Sequence, residues 1–157
     1  MDAFTLTHGQ MVTPSLTVSN ADAAIAFYQR ILGARLAGPV LRGPSQQVMH
    51  AELLFGETRI YLNDEPPEAG SYTPGNIGGT PITLQLLVDD VDDVYEKALV
   101  IGSKAKMPPH DANWGARYAV ITDPFGLCWA LSTHGEVVCQ EEMRKRSTGH
   151  WVTSRTA

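Results

Sequence analysis

The stretch Thr13-Pro-Ser-Leu-Thr-Val18 decides the fold, because its pattern returns 70 residues later as Thr83-Leu-Gln-Leu-Leu-Val88. Both runs alternate polar with apolar side chains, which predicts strands with one polar and one apolar face. A helical pattern follows each run, and Asn20 and Asp90 are residue types that cap helix N-termini. We therefore expect two copies of one structural unit.

Extended segments follow each predicted helix, and the last two in each copy are expected to form a hairpin. The predicted segments are residues 35–41, 48–55 and 58–63 in the first copy and 104–107, 118–122 and 127–133 in the second. Each copy thus has the order βαβββ. The predicted fold class is α+β, with two βαβββ modules forming a curved mixed sheet around a cleft. A concave sheet of this kind favours a small-molecule site.

The domain prediction places the modules at about residues 11–64 and 81–134. A linker at residues 65–80, rich in proline and glycine, joins them. Residues 1–137 are expected to form a single domain. Residues 138–157 are expected to add a short helix, at about 141–146, and a tail.

Composition narrows the classes of partner. The formal charge of −5 argues against a nucleic-acid surface, which needs clustered cations. The two cysteines, Cys128 and Cys139, form no CxxC motif and favour a reducing compartment. The first residues do not resemble a signal peptide, and no apolar run approaches a membrane span. We expect a cytoplasmic protein without a membrane or nucleic-acid partner.

The βαβββ pair resembles the vicinal oxygen chelate (glyoxalase/bleomycin-resistance/dioxygenase) superfamily over about residues 11–135. Five segments in the right order are similar to its PhnB-like branch. They are Thr13-Pro…Leu16-Thr-Val, Ala24-Ile-Ala-Phe-Tyr28, Val48-Met-His-Ala-Glu-Leu53, Met107-Pro-Pro with Trp114-Gly-x-Arg-Tyr118, and Thr122-Asp-Pro-Phe-Gly126 with Trp129. The resemblance also implies a homodimer.

Metal-dependent members of this superfamily hold one divalent ion with His and Glu side chains from the first and last strand of each module. Carried over by strand position, those places fall near Thr13, Tyr61, Thr83 and Ala130. Hydroxyl, phenol and methyl groups do not replace imidazole and carboxylate as ligands. The resemblance therefore predicts no cofactor and no metal at the usual site.

An organic ligand is the expected partner, because hydroxyl and amide groups share the polar strand faces. The candidate ligand-binding residues are Thr13, Tyr61, Thr83, Gln85, Trp114, Arg117 and Tyr118. Trp114 and Arg117 are candidates to clamp a planar or anionic ligand at the cleft mouth. The competing interpretation is that Trp114 caps the core and Arg117 pairs with an acidic neighbour such as Asp123.

His50 and Glu52 lie two residues apart on one predicted strand, so their side chains share a face. They are the candidate catalytic residues, as an acid/base pair. Alternatively they are two ligands of a relocated metal site, perhaps one that His134 completes, or a structural hydrogen-bonded pair. Two functional hypotheses follow. One is a metal-free small-molecule-binding protein, and the other is a lyase, isomerase or dioxygenase that uses a single divalent ion.

Overall fold

A computed structural model describes residues 12–147 of the protein. Two compact units form within it, and the division falls between Gly79 and Thr80. Each unit has its own sheet and its own principal helix. The extent of the single domain predicted for residues 1–137 stays a prediction.

The first unit contains a five-stranded sheet with one helix against it. Its elements are β1 (Ser15–Val18), α1 (Ala21–Ile31), β2 (Arg35–Leu36), β3 (Leu41–Arg42), β4 (Val48–Phe55) and β5 (Thr58–Asp64). The strand order is β1-β5-β4-β2, and β3 pairs with β4. Strand β1 runs parallel to β5, whereas β4 and β5 form an antiparallel hairpin.

Alternation along these strands builds the core of the first unit. Leu16, Leu53 and Leu62 are buried, as are Ala24 and Tyr28 of α1. The Asn20 side chain accepts a hydrogen bond from the backbone N–H of Ala23 at 3.0 Å, which confirms the predicted N-cap. The apolar strand face therefore lies beneath α1, and the polar strand face lies on the other side of the sheet.

The predicted linker contains short helical turns. A 3₁₀ turn spans Pro67–Ala69, and a four-residue helix, α2, spans Pro74–Ile77. The Thr73 side chain accepts a hydrogen bond from the backbone N–H of Asn76 at 3.3 Å and so caps α2. Pro74 at the helix start and Gly78 at its left-handed end suit a short helix, so the proline and glycine content of the predicted linker is compatible with α2.

The elements of the second unit follow the same order of strand, helix and further strands, with three strands after the principal helix where the first unit has four. They are β6 (Thr83–Leu87), α3 (Val91–Val100), β7 (Lys104–Asp111), β8 (Arg117–Thr122), β9 (Cys128–Ser132) and α4 (Gln140–Ser147). The strand order is β6-β9-β8-β7, with β6 parallel to β9 and the other pairs antiparallel. Helix α3 lies against β7, β8 and β9.

The α+β fold class with two βαβββ modules is confirmed. Several element bounds differ from prediction, and the segment predicted at residues 35–41 forms two short strands, β2 and β3. Strand β1 begins at Ser15, so Thr13 precedes it, and β7 runs to Asp111 although it was predicted to end at residue 107. Helix α4 exceeds its predicted bounds by one residue at each end. Such shifts arise because terminal residues pair or fray according to their tertiary neighbours.

Candidate functional site

The helix-free face of the first sheet carries polar side chains on three adjacent strands. Register places Ser15 opposite Tyr61, and Tyr61 opposite Glu52. Alternation brings the flanking residues to the same side. The members of this first polar face are Ser15, Thr17, His50, Glu52, Arg59, Tyr61 and Asn63.

A charged group lies at the centre of the first polar face. The Glu52 carboxylate forms an ion pair with the Arg59 guanidinium, and its other oxygen lies 3.3 Å from Nε2 of His50. The His50 ring contacts the Tyr61 ring edge-on, with centroids 4.8 Å apart. All four side chains are half-buried. The predicted proximity of His50 and Glu52 is therefore confirmed, and Arg59 joins them.

Within this group the positive charge of Arg59 compensates the negative charge of Glu52. Partial burial lowers the pKa of His50 below its ordinary value of 6.5. A neighbouring carboxylate by itself would favour the imidazolium form and raise that pKa. Because Arg59 already compensates Glu52, desolvation of His50 outweighs the attraction. The imidazole is therefore predominantly neutral at pH 7.

Hydrogen bonds continue along the first polar face. The Asn63 side-chain N–H donates to Thr17 Oγ1 at 3.3 Å and to the backbone carbonyl of Asp64 at 2.8 Å. These contacts hold the amide in one orientation. The face therefore presents donors, acceptors and one ion pair that could recognise a polar organic molecule.

The four positions that correspond to the usual metal ligands do not suit a divalent ion. Thr13 is half-buried ahead of β1, Tyr61 lies in β5, Thr83 begins β6 and Ala130 lies in β9. Ser15 pairs with Tyr61 and Gln85 pairs with Ala130, so Tyr61 and Ala130 occupy equivalent places in the two units. Their side chains offer a phenol and a methyl group, and neither fits a site built from imidazole and carboxylate.

The relocated metal site lacks a third ligand within residues 12–147, where no group of three His, Cys, Asp or Glu side chains could hold an ion. The His50 and Glu52 side chains are in contact, but the Glu52 carboxylate forms an ion pair with Arg59. His134 belongs to the second unit, is exposed and follows the end of β9. A metal ion at His50 and Glu52 would have to compete with the guanidinium.

The helix-free face of the second sheet has a different character. Its middle is a buried apolar cluster of Val120, Cys128 and Ala130, with Tyr118 packed against it. Thr83 Oγ1 and Lys106 Nζ each lie 3.5 Å from the Cys128 sulfur. Cys128 and Cys139 are free thiols. The candidate ligand-binding residues Thr83 and Gln85 are on the edge strand β6, where both are exposed.

An aromatic cluster of His110, Trp114 and Tyr118 occupies one end of this second face. His110 and Tyr118 are register partners on β7 and β8, and their ring centroids are 5.8 Å apart. The Trp114 and Tyr118 centroids are 5.2 Å apart, and both contacts are edge-to-face. Trp114 is 45% exposed, so it does not cap the core.

Arg117 lies on the opposite side of β8 from Tyr118, because successive side chains of a strand alternate. Its guanidinium bonds Asp92 of α3 twice, at 2.8 Å, and Asp111 at 3.1 Å. These hydrogen bonds raise the pKa of Arg117 and lower that of Asp92. The predicted clamp of Trp114 with Arg117 is therefore not formed, and Arg117 instead fastens α3 to β7 and β8.

Asp123 does not pair with Arg117, contrary to the partner suggested above. Its buried carboxylate accepts hydrogen bonds of 2.9 Å from the backbone N–H groups of Phe125 and Leu127 and from Nε1 of Trp129. Trp129 is 1% exposed and belongs to the core of the second unit. This carboxylate therefore organises the β8–β9 turn.

Sequence reasoning missed the parts that Arg59 and His110 play. Arg59 lies diagonally across the β4–β5 hairpin from Glu52. Pairing the residues of the two strands outward from the turn at Gly56 would have predicted that these two charged side chains are neighbours. His110 was not among the candidate site residues, because β7 was predicted to end before it. His8 and His150 were not candidates either, and they lie outside the described residues.

None of the helices in the described range, residues 12–147, is long and apolar enough to cross a membrane. This finding agrees with the hydropathy of the sequence.

Known proteins are similar to this chain in sequence or in fold. A Mycobacterium bovis protein, Uncharacterized protein Mb0911c, is 37% identical over 136 residues, which cover 85% of this chain and 89% of the relative. A PhnB protein from Bacillus cereus has a TM-score of 0.63 at 18% identity, with 80% of this chain and all of that chain covered. The fosfomycin resistance protein FosX from Mesorhizobium loti has a TM-score of 0.58 at 13% identity, with 82% of this chain and 94% of that chain covered.

The family assignment follows from sequence and architecture together. The model of the glyoxalase/bleomycin resistance protein/dioxygenase superfamily matches residues 9–131, which span both βαβββ modules. The chain belongs to the glyoxalase/bleomycin resistance protein/dioxygenase superfamily.

Proposed function

We propose that the protein binds a small organic molecule on the helix-free faces of its sheets, without a metal ion. The first polar face is the observation that carries this proposal. A sheet face that serves only for packing is apolar, as the face beneath α1 is. The opposite face holds a fixed, half-buried set of donors and acceptors centred on Glu52 and Tyr61.

The candidate ligand-binding residues divide between the two units. Tyr61 lies on the first polar face and Thr13 lies just ahead of it, whereas Thr83, Gln85 and Tyr118 belong to the second unit. Arg117 drops out of the proposal, because its ion pairs hold it on the other side of β8. Two names support an organic compound as the ligand: the family description names bleomycin resistance, and one fold neighbour is named a fosfomycin resistance protein.

The second candidate function is a metal-dependent lyase, isomerase or dioxygenase that uses His50 and Glu52. The 3.3 Å contact between these side chains favours it, since both are common metal ligands. Their ion-paired neighbour Arg59 disfavours it, because a cation beside Glu52 repels a divalent ion. The ranking of the two functions therefore depends on whether Arg59 or a metal neutralises Glu52.

The test uses untagged full-length protein, with bleomycin and fosfomycin as probes, in the presence and absence of a chelator. A probe that binds only the folded state raises the free energy of unfolding, by about 2.7 kcal/mol at a hundredfold excess over Kd. We expect a higher Tm that the chelator does not abolish and that Glu52→Gln reduces. Glu57→Gln, an exposed change in the β4–β5 turn, is the matched control. No shift with either probe would contradict this form of the proposal.

Elemental mass spectrometry of the same protein decides between the two candidates. Metal-free protein that takes up no added nickel, zinc, manganese or iron is the expected result. About one divalent ion per chain, lost in His50→Gln, would instead establish the metal-dependent candidate.

The proposal also includes a cytoplasmic homodimer without a nucleic-acid partner. The net charge of −5 and the two free thiols support this setting. Light scattering coupled to size-exclusion chromatography is expected to give twice the chain mass of 17.1 kDa. A monomer at micromolar concentration would contradict the dimer and leave the binding proposal in place.

A further inference from the structure

The helix-free face of the second sheet carries positive charge. Strands β6 to β9 contain one carboxylate, Asp111, and three cationic side chains, Lys104, Lys106 and Arg117. Asp111 and Arg117 are paired with each other on the helix-covered side of the sheet. Strand register and the contact with Cys128 place Lys104 and Lys106 on the helix-free side. The strands therefore give this side two cations and no carboxylate.

Carboxylates beyond the strands do not compensate Lys106. Asp123 is bonded within the β8–β9 turn, and Glu136 is paired with Arg146 at 2.7 Å. Asp89 lies beyond the end of β6, whereas Lys106 lies at the end of the sheet where β6 begins. Among the residues that the structure describes, no carboxylate lies within ion-pair distance of the Lys106 ammonium.

Hydrogen-bond donors meet at this end of the face. Lys106 Nζ and Thr83 Oγ1 each lie 3.5 Å from the Cys128 sulfur. An ammonium group has three N–H donors and a thiol sulfur is only a weak acceptor, so most of the donor capacity of Lys106 is left for another partner. Lys106 and Thr83 are both exposed, so a ligand can reach them. The chemical match for such a group of donors is an anion.

Small side chains separate the donors from the aromatic cluster. Thr122, the register partner of Cys128, lies four residues from Tyr118 along β8. Four residues of a strand correspond to about 13 Å. Val120 and Ala130, which lie between these two ends, are small and buried. A ligand that contacts both ends is therefore elongated.

The rings at the other end are fixed in place. Trp114 is 45% exposed, and its ring meets the half-buried Tyr118 at 78°. A hydrogen bond of 2.9 Å from Gly115 N–H to the Ala112 carbonyl closes the turn that carries the indole. His110 contacts the same tyrosine from β7. A ring held by a fixed turn loses little conformational entropy when a ligand covers it.

We infer that the helix-free face of the second sheet is a subsite for an elongated aromatic acid, with the carboxylate at Lys106 and the aromatic ring at Trp114. This inference rests on the proposed small-molecule function and names its class of ligand. The ammonium gains a charge-assisted hydrogen bond in place of its contact with a thiol. The exposed indole offers ring surface that a second ring covers. The anionic ligand that was expected at Arg117 is thereby assigned to Lys106.

Three probes with one carbon skeleton test the charge preference on the full-length protein. They are phenylhexanoate as the anion, phenylhexanamide as the neutral form and phenylhexylamine as the cation, each with a terminal phenyl ring. Calorimetric titration is expected to show the anion binding about tenfold more tightly than the amide, with the amine weakest, because charge-assisted hydrogen bonds are the stronger ones. Equal affinity for the acid and the amine would overturn the inference.

A lysine variant locates the acid group. Lys106→Met keeps an unbranched side chain but removes the ammonium, so it is expected to weaken binding of phenylhexanoate about tenfold and to leave binding of the amide unchanged. Lys97→Met removes the same charge from the exposed side of α3 and is the matched control. Circular dichroism checks that each variant is folded. Phenylhexanoate affinity that Lys106→Met leaves unchanged would overturn the inference.

A shorter acid locates the aromatic end. Phenylacetate is too short to reach both ends of the face, so its binding is expected to respond to Lys106→Met and not to Trp114→Ala. Phenylhexanoate and its amide are expected to lose about threefold or more in affinity in Trp114→Ala, because both lose the contact with the indole. Tyr72→Ala removes an exposed aromatic side chain of the first unit and is the matched control. Unchanged binding of phenylhexanoate to Trp114→Ala would overturn the inference.

The two proposals fail separately. If the phenyl acids do not bind but bleomycin or fosfomycin still raises Tm, this inference is wrong and the proposed function stands. If no probe of either kind binds, both are wrong.

Discussion

The two units place different chemistry on the same scaffold. Equivalent positions follow from register, since Glu52 pairs with Tyr61 in the first sheet as Val120 pairs with Ala130 in the second. The first unit thus has a carboxylate where the second has an isopropyl group. This comparison teaches that the βαβββ pattern requires only the helix-covered face to be apolar, so the other face is available for function.

An aspartate anchors the principal helix in both units, but the arginine that binds it comes from a different strand in each unit. Asp22 and Asp92 occupy equivalent sites at an offset of 70 residues, and each takes two hydrogen bonds from one arginine. The arginine is Arg42 of β3 in the first unit and Arg117 of β8 in the second. A carboxylate in the first helical turn is favourable wherever its cation originates.

The largest expected effect on the free energy of unfolding comes from replacing Val120 or Glu52 by the residue at the equivalent position of the other unit. Val120→Glu places a carboxylate in a buried apolar cluster and should lower the free energy of unfolding by about 3 kcal/mol or more. The reverse change, Glu52→Val, should cost less, about 2 kcal/mol, because Arg59 and His50 lose a partner but stay partly exposed to water. Urea denaturation measures both. Similar losses of unfolding free energy in the two variants would contradict the difference in polarity between the two faces.

The next largest expected difference in the free energy of unfolding is between variants of the β8–β9 turn and of the β4–β5 turn. Asp123→Ala removes an acceptor of three hydrogen bonds from a buried site and should cost about 3 kcal/mol. Glu57→Ala in the first hairpin should change the free energy of unfolding by less than about 0.5 kcal/mol, because that turn depends on the backbone of Gly56, at a φ of +61°. Chemical denaturation compares them. Comparable losses would mean that Glu57 organises its turn as Asp123 does.

The smallest expected effect concerns the titration of His50. Its pKa in the folded protein should lie below 6.5, so the unfolded chain binds more protons between the two values. Stability contributed by this group is therefore complete above pH 6.5 and declines as the pH falls towards the folded pKa. A proton NMR titration of the His50 ring measures the folded value.

Removing Arg59 tests the cause of that shift. Arg59→Leu should raise the pKa of His50, because the Glu52 carboxylate then acts on the imidazole alone. Arg30→Leu, on the exposed side of α1, is the control. A His50 pKa that stays low in Arg59→Leu would show that desolvation alone determines it.

Much of the fold could be predicted, because it depends on local periodicity and on the repeat. The two strands with their capped helices and the hairpins all followed from alternation, helical spacing and turn chemistry. The proximity of His50 and Glu52 followed as well, since residues two apart on a strand share a face. The ligand-binding roles of the site residues stay predictions.

The sequence by itself determined the two modules and, in the first of them, the helix-covered and polar faces, whereas the metal positions were identified through the family resemblance. Tertiary structure alone decided which charges meet: Arg59 with Glu52, Arg117 with Asp92 and Asp111, and the rings of His110 and Trp114 with Tyr118. The physical reason is the separation of the residues along the sequence. Periodicity describes neighbouring residues within one strand or helix. These pairs instead depend on strand register and on which long side chains of different elements lie within reach of each other.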